Sequence, residues 1–306
     1  MNALGRSASS AAPSRLGFGC ASLGSRVAAA DGLNALATAF DAGVNWFDVA
    51  PAYGAGEAET LLGRFLRGRR DRAFVVTKVG MAPPRRLGAL RLAYALGRPL
   101  AARAMALRSG FRSLAVTGNR HMPLTAALVE RSIGESLRRL GVDCVDVYAL
   151  HDPDPADVAR DDVRAALTRV LERRRARAVA VAGGFDACRA VLAAGEPYAV
   201  LQTSVADLDY GGAELAGAGL LLVSHSVFGV GGGALARLCA KFAAAPERHR
   251  RLVAAAELLL DCALANNPDG VVLASMFDAD HRAADLARAR RRVGPAVLGL
   301  LDEALV

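Results

Sequence analysis

An α/β chain closed into a single (β/α)8 TIM barrel is the fold this sequence predicts, on three observations. Short apolar runs recur along the 306 residues, each followed by a segment with helical spacing of its apolar side chains. The runs are continuous rather than alternating, as in Ala178-Val179-Ala180-Val181, Leu220-Leu221-Leu222-Val223 and Val271-Val272-Leu273. Strands covered by helices on both faces read this way. Finally, the unit repeats through eight strands, which favours a closed barrel of about 250 residues over an open sheet. An open doubly wound sheet is the alternative. Its dinucleotide fingerprint is incomplete, because Gly17-Phe18-Gly19-Cys20-Ala21-Ser22 lacks the third glycine.

The elements follow in order. Residues 1–14 are small and polar and read as a mobile tail, without the apolar centre of a secretory signal. A first strand is expected at 16–20. A helix follows over 31–42, with Asp31 as N-cap and Gly43 as terminator. Strand 44–48 precedes a helix over 56–69, whose early acids Glu57 and Glu59 and late arginines suit the helix dipole. Strand 73–78 comes next. Then come helix 125–140, strand 144–150, helix 160–174, strand 177–182, helix 186–194, strand 198–203, a short helix 212–217 and strand 219–224. Helices 234–244 and 247–265, strand 270–274, and helices 279–291 and 294–304 complete the pattern.

One piece breaks it. Residues 81–122 form a basic insertion after the third strand, where a barrel needs only a short connection. It contains Arg85, Arg86, Arg91, Arg98, Arg103, Arg108, Arg112 and Arg120 and no acid, a charge equal to the net +8 of the chain. It reads as a solvated helical excursion, a lid over the barrel mouth, or a contact for an acidic partner or membrane surface. The remainder is nearly neutral, so nucleic-acid binding is not expected. No run approaches the roughly 18 uncharged apolar residues of a transmembrane helix. The five cysteines are scattered, without CxxC spacing. No disulfide frame or metal site is indicated, and a reduced cytoplasm is the expected location.

Chemistry-bearing side chains gather at strand ends. Asp48 ends the run Val44-Asn45-Trp46-Phe47-Asp48, and Tyr53 lies in the loop broken by Pro51 and Gly54. Lys78, one of only two lysines, ends Phe74-Val75-Val76-Thr77-Lys78. His151 ends Val145-Asp146-Val147-Tyr148-Ala149-Leu150-His151. Taken singly, each has a structural reading: a turn cap, a packing aromatic, a surface charge, a strand-end histidine. Taken together at one rim, they form an acid, a phenol, an ammonium and an imidazole.

At these residues the sequence resembles the aldo-keto reductases, over about residues 16–290. The resemblance rests on Phe47-Asp48-Val49-Ala50-Pro51-Ala52-Tyr53-Gly54, on Val76-Thr77-Lys78, on the stretch Ser132–Gly141 followed by Asp146-Val147-Tyr148, and on Leu150-His151-Asp152-Pro153-Asp154. It implies that Asp48, Tyr53, Lys78 and His151 are a catalytic tetrad. It also implies an NAD(P)-dependent oxidoreductase that transfers hydride to or from a small aldehyde, ketone or sugar. Reducing a carbonyl creates an alkoxide that needs a proton. A tyrosine can donate it, and a neighbouring ammonium lowers the reference pKa of about 10. Lys78 would supply that charge, Asp48 would hold it, and His151 would orient the substrate oxygen.

The cofactor side matches less closely. Gly183-Gly184-Phe185 stands where the family has Ser-Asn-Phe, while Gln202 keeps the family's glutamine. His225 replaces the aromatic that stacks on the nicotinamide, followed by Ser226. Gly229 and Gly231, in Gly229-Val230-Gly231-Gly232-Gly233, offer backbone amides to a pyrophosphate. Ser275 and Arg282 are the candidates for the adenosine phosphate, with Asp278 and Asp280 opposing. NADP is the expected cofactor and NAD the alternative. A nicotinamide-binding regulatory subunit of the same fold is the second functional reading. A third differs only in using 81–122 to dock a carrier or membrane.

Overall fold

The computed structural model describes residues 12–83, 119–229 and 248–291. The interior of the basic insertion, Gly231, Cys239, the helices expected over 234–244 and 294–304, and most of the N-terminal tail lie outside the described residues.

Eight parallel strands close into one barrel. They are β1 (Leu16–Gly19), β2 (Trp46–Asp48), β3 (Phe74–Val79), β4 (Val145–His151), β5 (Ala176–Ala182), β6 (Tyr198–Ser204), β7 (Leu221–His225) and β8 (Val271–Ala274). Each pairs with its neighbours in sequence, and β8 closes on β1 through Leu16 opposite Val272. The helices are α1 (Ala29–Asp41), α2 (Ala58–Leu66), α3 (Ala126–Leu140), α4 (Pro155–Ala159), α5 (Asp161–Glu172), α6 (Phe185–Ala194), α7 (Val205–Ala216), α8 (Arg248–Asn266) and α9 (Ala279–Ala289).

Side chains alternate across each strand. The inward set, including Trp46, Phe74, Val76, Val147, Ala149, Ala178, Ala180, Val200, Val223, Val271 and Leu273, fills the barrel. The outward set, including Phe47, Val75, Val79, Leu150, Val179, Val181, Leu201 and Val272, packs under the helices. The interior is full. A Cβ on Gly17 would lie 2.6 Å from Leu273 and 2.9 Å from both Trp46 and Val271, so Trp46 occupies the room that glycine leaves. Truncating such a buried aromatic costs about 3–5 kcal/mol.

The helix ends obey local rules in some places and depart from them in others. Thr125 caps α3 by accepting from the Leu128 amide at 3.1 Å, and Gly141 ends it at φ 65°. Asp31, expected as an N-cap, lies inside the first turn of α1, which begins at Ala29 without a side-chain cap. The helix expected over 56–69 is α2, shorter at both ends, and a 3₁₀ turn, Tyr53–Gly56, precedes it. The short helix expected over 212–217 is the end of α7, whose Ser204 cap accepts from the Asp207 amide. α4 was not foreseen; it begins at Pro155, a residue suited to a first helical turn.

The stem of the 81–122 insertion is visible at both ends. Met81–Ala82 pairs antiparallel with Arg120–His121, and the Met122 amide donates to Gly80 O at 2.7 Å. The insertion therefore leaves and rejoins the barrel just beyond β3, at the rim where the strands end. Among the described residues no helix is long and apolar enough to cross a membrane. None of the described cysteines is in a disulfide.

Candidate active site

Strand register sets the rim. β1 and β2 pair with Gly19 opposite Asp48, and β3 and β4 pair with Lys78 opposite Ala149. β4 and β5 pair with His151 opposite Ala182, and β5 and β6 pair with Ala182 opposite Gln202. Alternation points Asp48, Lys78, His151 and Gln202 inward at the C-terminal end of the barrel. His225, two residues past inward Val223, points the same way. Tyr53 arrives from outside this layer. After β2 the chain breaks at Pro51 and begins a 3₁₀ turn at Tyr53, with Gly54 at φ 59°. No side chain could replace that glycine, because its Cβ would lie 1.9 Å from Leu23 O.

Three of the four predicted catalytic groups share hydrogen bonds. Lys78 Nζ donates to Asp48 Oδ1 at 2.5 Å, to the Tyr53 hydroxyl at 3.2 Å and to Val49 O at 3.4 Å. It also stands 4.8 Å from the centre of the Tyr53 ring. The His151 ring meets the Tyr53 ring edge-on, with centroids 5.7 Å apart. His151 Nδ1 is buried without a hydrogen bond among the described residues.

The charges follow from burial and neighbours. Burial alone would depress the Lys78 pKa, but Asp48 and Tyr53 together raise it above the ordinary lysine value. Lys78 is therefore an ammonium at neutral pH. Burial raises the Tyr53 pKa; Lys78 opposes this, and Asp48 and Asp152 add to the rise. The lowered phenol pKa expected from sequence is thus outweighed by desolvation, and the hydroxyl keeps its proton. Burial, then Lys78, His225 and His121, hold His151 well below its ordinary range. His225 is lowered by burial and Lys78, against Asp48, Asp152 and Asp207. Both imidazoles are neutral at pH 7.

Other predicted residues are distributed around this centre. Gln202 is 5 % exposed at the rim. His225 Nδ1 lies 2.9 Å from Ser226 Oγ, and Ser226 has φ 58° in the turn closed by Gly229 N donating to Ser226 O at 2.7 Å. Ser275 is exposed just past β8. Arg282 does not extend as a free cation. It is buried, and its Nη1 donates to the carbonyls of Met276, Phe277 and Asp278 at 3.0, 3.3 and 3.5 Å. Those carbonyls lie in the turn between β8 and α9, where the guanidinium gives them a donor, Asp278 O also accepting from the Arg282 amide at 3.0 Å.

Three further groups shape the site and were not singled out from sequence. Asp152, at φ 46°, acts electrostatically on Tyr53, and His121, on the insertion stem, acts on His151. Glu59, read only as an acid that suits the dipole of its helix, is 1 % exposed. Its spacing from Leu62 and Leu66, three and seven residues on, placed it on the apolar stripe of α2 and was the available signal.

A model of the aldo/keto reductase family matches residues 15–204. A D-threo-aldose 1-dehydrogenase from a Pseudomonas species is 34 % identical over 178 residues, covering 56 % of this chain and 49 % of that relative. The chain thus spans about half the length of the curated relatives it matches. Among solved structures, the aldo-keto reductase AKR11C1 from Bacillus halodurans, in its holo form, superimposes with a TM-score of 0.73. That match has 19 % identity and covers 97 % of this chain and 93 % of the other. An aldo-keto reductase from Klebsiella pneumoniae, in complex with NADPH, gives a TM-score of 0.65 at 19 % identity, covering 96 % and 91 %.

Proposed function

The chain belongs to the aldo-keto reductase family, and from that premise we propose that it is an NAD(P)-dependent oxidoreductase acting on a small aldehyde, ketone or sugar. The observation that carries this reading is the Tyr53 hydroxyl held 3.2 Å from an ammonium that Asp48 keeps charged. Tyr53 is the general acid of reduction and the base of oxidation. Lys78 stabilises the phenolate left after proton transfer, Asp48 fixes Lys78, and neutral His151 hydrogen-bonds the substrate oxygen. A sugar is among the substrate classes because of the resemblance to an aldose dehydrogenase.

A nicotinamide ring fits the mouth chemically. Gln202 carries an amide at the inner rim, and His225 presents a neutral imidazole beside Ser226. When bound, the nicotinamide supplies or accepts the hydride. Gln202, His225 and Ser226 would hold that ring; of the two glycines expected at the pyrophosphate, Gly229 already donates its amide to Ser226 O, and Gly231 lies outside the described residues. At the adenosine end, Ser275 and Arg282 remain the candidates for NADP, although the carbonyls it serves reduce what Arg282 can offer a phosphate.

The test is purified protein with NADPH or NADH and a panel of carbonyls, followed at the nicotinamide absorbance. Turnover is expected, and Tyr53→Phe is expected to lower kcat by about 10²–10⁴-fold with cofactor affinity retained. Cofactor binding without turnover on any carbonyl would favour the regulatory-subunit reading. An unchanged rate in the Tyr53→Phe enzyme would remove Tyr53 from the acid role.

A further inference from the structure

The segment that carries Tyr53 runs directly into α2, and the strand that carries Lys78 holds Thr77 immediately before it. One buried carboxylate joins the two. Glu59 Oε1 accepts from Thr77 Oγ1 at 2.6 Å, and Oε2 accepts from Arg139 Nε at 2.5 Å. Thr77 is fully buried. Lys78 faces the barrel interior and Thr77 faces the helices, so β3 is gripped on both faces at this point. Asp48 holds it from inside, and Glu59 holds it from outside.

A buried carboxylate is unfavourable unless its oxygens are paired, and both oxygens of Glu59 are. Its placement also has a consequence for the site. The Tyr53 turn is fixed at its start by Gly54 packed on Leu23 O, and six residues after Tyr53 by Glu59 on Thr77. The phenol-to-ammonium distance spans these two segments. Displacements of about 1 Å in such a pair can change rates by roughly 100-fold. We infer that Glu59, through Thr77, is a positioning residue for proton delivery, which locks the Tyr53 turn onto the Lys78 strand. The charged and titratable groups that face Tyr53 are Lys78, Asp48, Asp152 and, edge-on, His151. Glu59 is not among them, so it acts through position and not through its charge on the phenol.

This inference rests on the reading of Tyr53 and Lys78 as the proton-delivery pair. Its test is the series Thr77→Ser, Thr77→Cys and Thr77→Val, which keeps, weakens and removes the hydrogen-bond donor. Two quantities are read. One is kcat and KM for carbonyl reduction. The other is the titration of Tyr53 by ultraviolet difference against the Tyr53→Phe background, which needs no turnover. Valine is expected to lower kcat about tenfold with KM within about twofold, and to raise the phenol midpoint by about one pH unit as Lys78 withdraws. Serine is expected to match wild type, and cysteine to fall between, which also serves if valine does not fold. A folded cysteine or valine variant with wild-type kcat and midpoint overturns the inference. So does a serine variant as impaired as valine. An inactive wild type would end the enzymatic reading, while the titration series would still decide whether Thr77 positions the phenol.

Discussion

Lys78 Nζ stands 3.2 Å from the Tyr53 hydroxyl, yet the phenol titrates above the ordinary tyrosine range. Burial is the larger influence, and the ammonium only partly offsets it. The protonated phenol is therefore the resting form, which suits proton donation to a nascent alkoxide. The rate of reduction is expected to hold through neutral pH and to fall only as the phenol ionises, above about pH 10. With Tyr53 as the proposed base, oxidation would need the phenolate and is expected to rise with pH over the same range. On the acid side, reduction should persist until His151 protonates, well below its ordinary value of about 6.5. Rate profiles in both directions check this, and a reduction limb near pH 7–8 that vanishes in a Tyr53 titration control would contradict it.

The Asp48–Lys78 pair is buried on both sides, with side chains 4 % and 1 % exposed. Removing one partner from such a pair leaves an uncompensated charge and costs about 3–5 kcal/mol. Asp48→Asn is therefore expected to destabilise the fold by about that amount at pH 7, and to let burial depress Lys78. Lys78 would then help Tyr53 less, so kcat should fall as well. Urea unfolding and steady-state rates on the same preparation measure both effects. A stability loss under about 1 kcal/mol would mean that Asp48 is not what keeps Lys78 charged.

Asp285, on α9, is buried, and burial raises its pKa to about 6. A carboxyl whose pKa is higher in the folded than in the unfolded state loses stability as pH rises from the unfolded value through the folded one. The window here runs from about pH 4 to about pH 6. Asp285→Asn removes that penalty and is expected to stabilise the protein by roughly 1–3 kcal/mol at pH 7.5 and hardly at all at pH 4. Thermal unfolding at the two pH values is the measurement, and an equal shift at both would point to packing instead of ionisation.

Much of this was readable from the chain. β5, β7 and β8 are continuous apolar runs because both faces are covered, so their positions showed directly. Asp48, Lys78 and His151 stand at strand ends, where inward alternation leaves little freedom of placement. Glu59 and Arg282 were less legible for one common reason. Sequence shows that a residue is charged, but not whether the chain turns that charge toward solvent or toward orphaned polar groups. Glu59 faces Thr77 and Arg139, and Arg282 faces the carbonyls beyond β8. Asp31 lay within two residues of a helix start, and local propensity does not resolve an end that closely.

If the adenosine phosphate lies at Ser275 and Arg282, as proposed above, cofactor choice turns on the start of α9. Asp278 caps this helix by accepting from the Asp280 and His281 amides, each at 3.0 Å, so donors that could bind a phosphate are already engaged. Those bonds, the His281 amide first, hold the Asp278 pKa below the ordinary carboxylate value, so the cap stays ionised. Arg282, the nearby cation, has Nη1 on three carbonyls. A 2′-phosphate delivered here meets negative charge before positive. Serine caps a helix about as well as aspartate, so Asp278→Ser removes the charge with little effect on stability. The dissociation constant for NADPH is expected to tighten about five- to tenfold, with NADH changed less than about twofold, for one surface carboxylate removed. Nicotinamide fluorescence titrations measure both constants without turnover. An unchanged NADPH-to-NADH ratio would mean that the 2′ position is recognised away from Asp278.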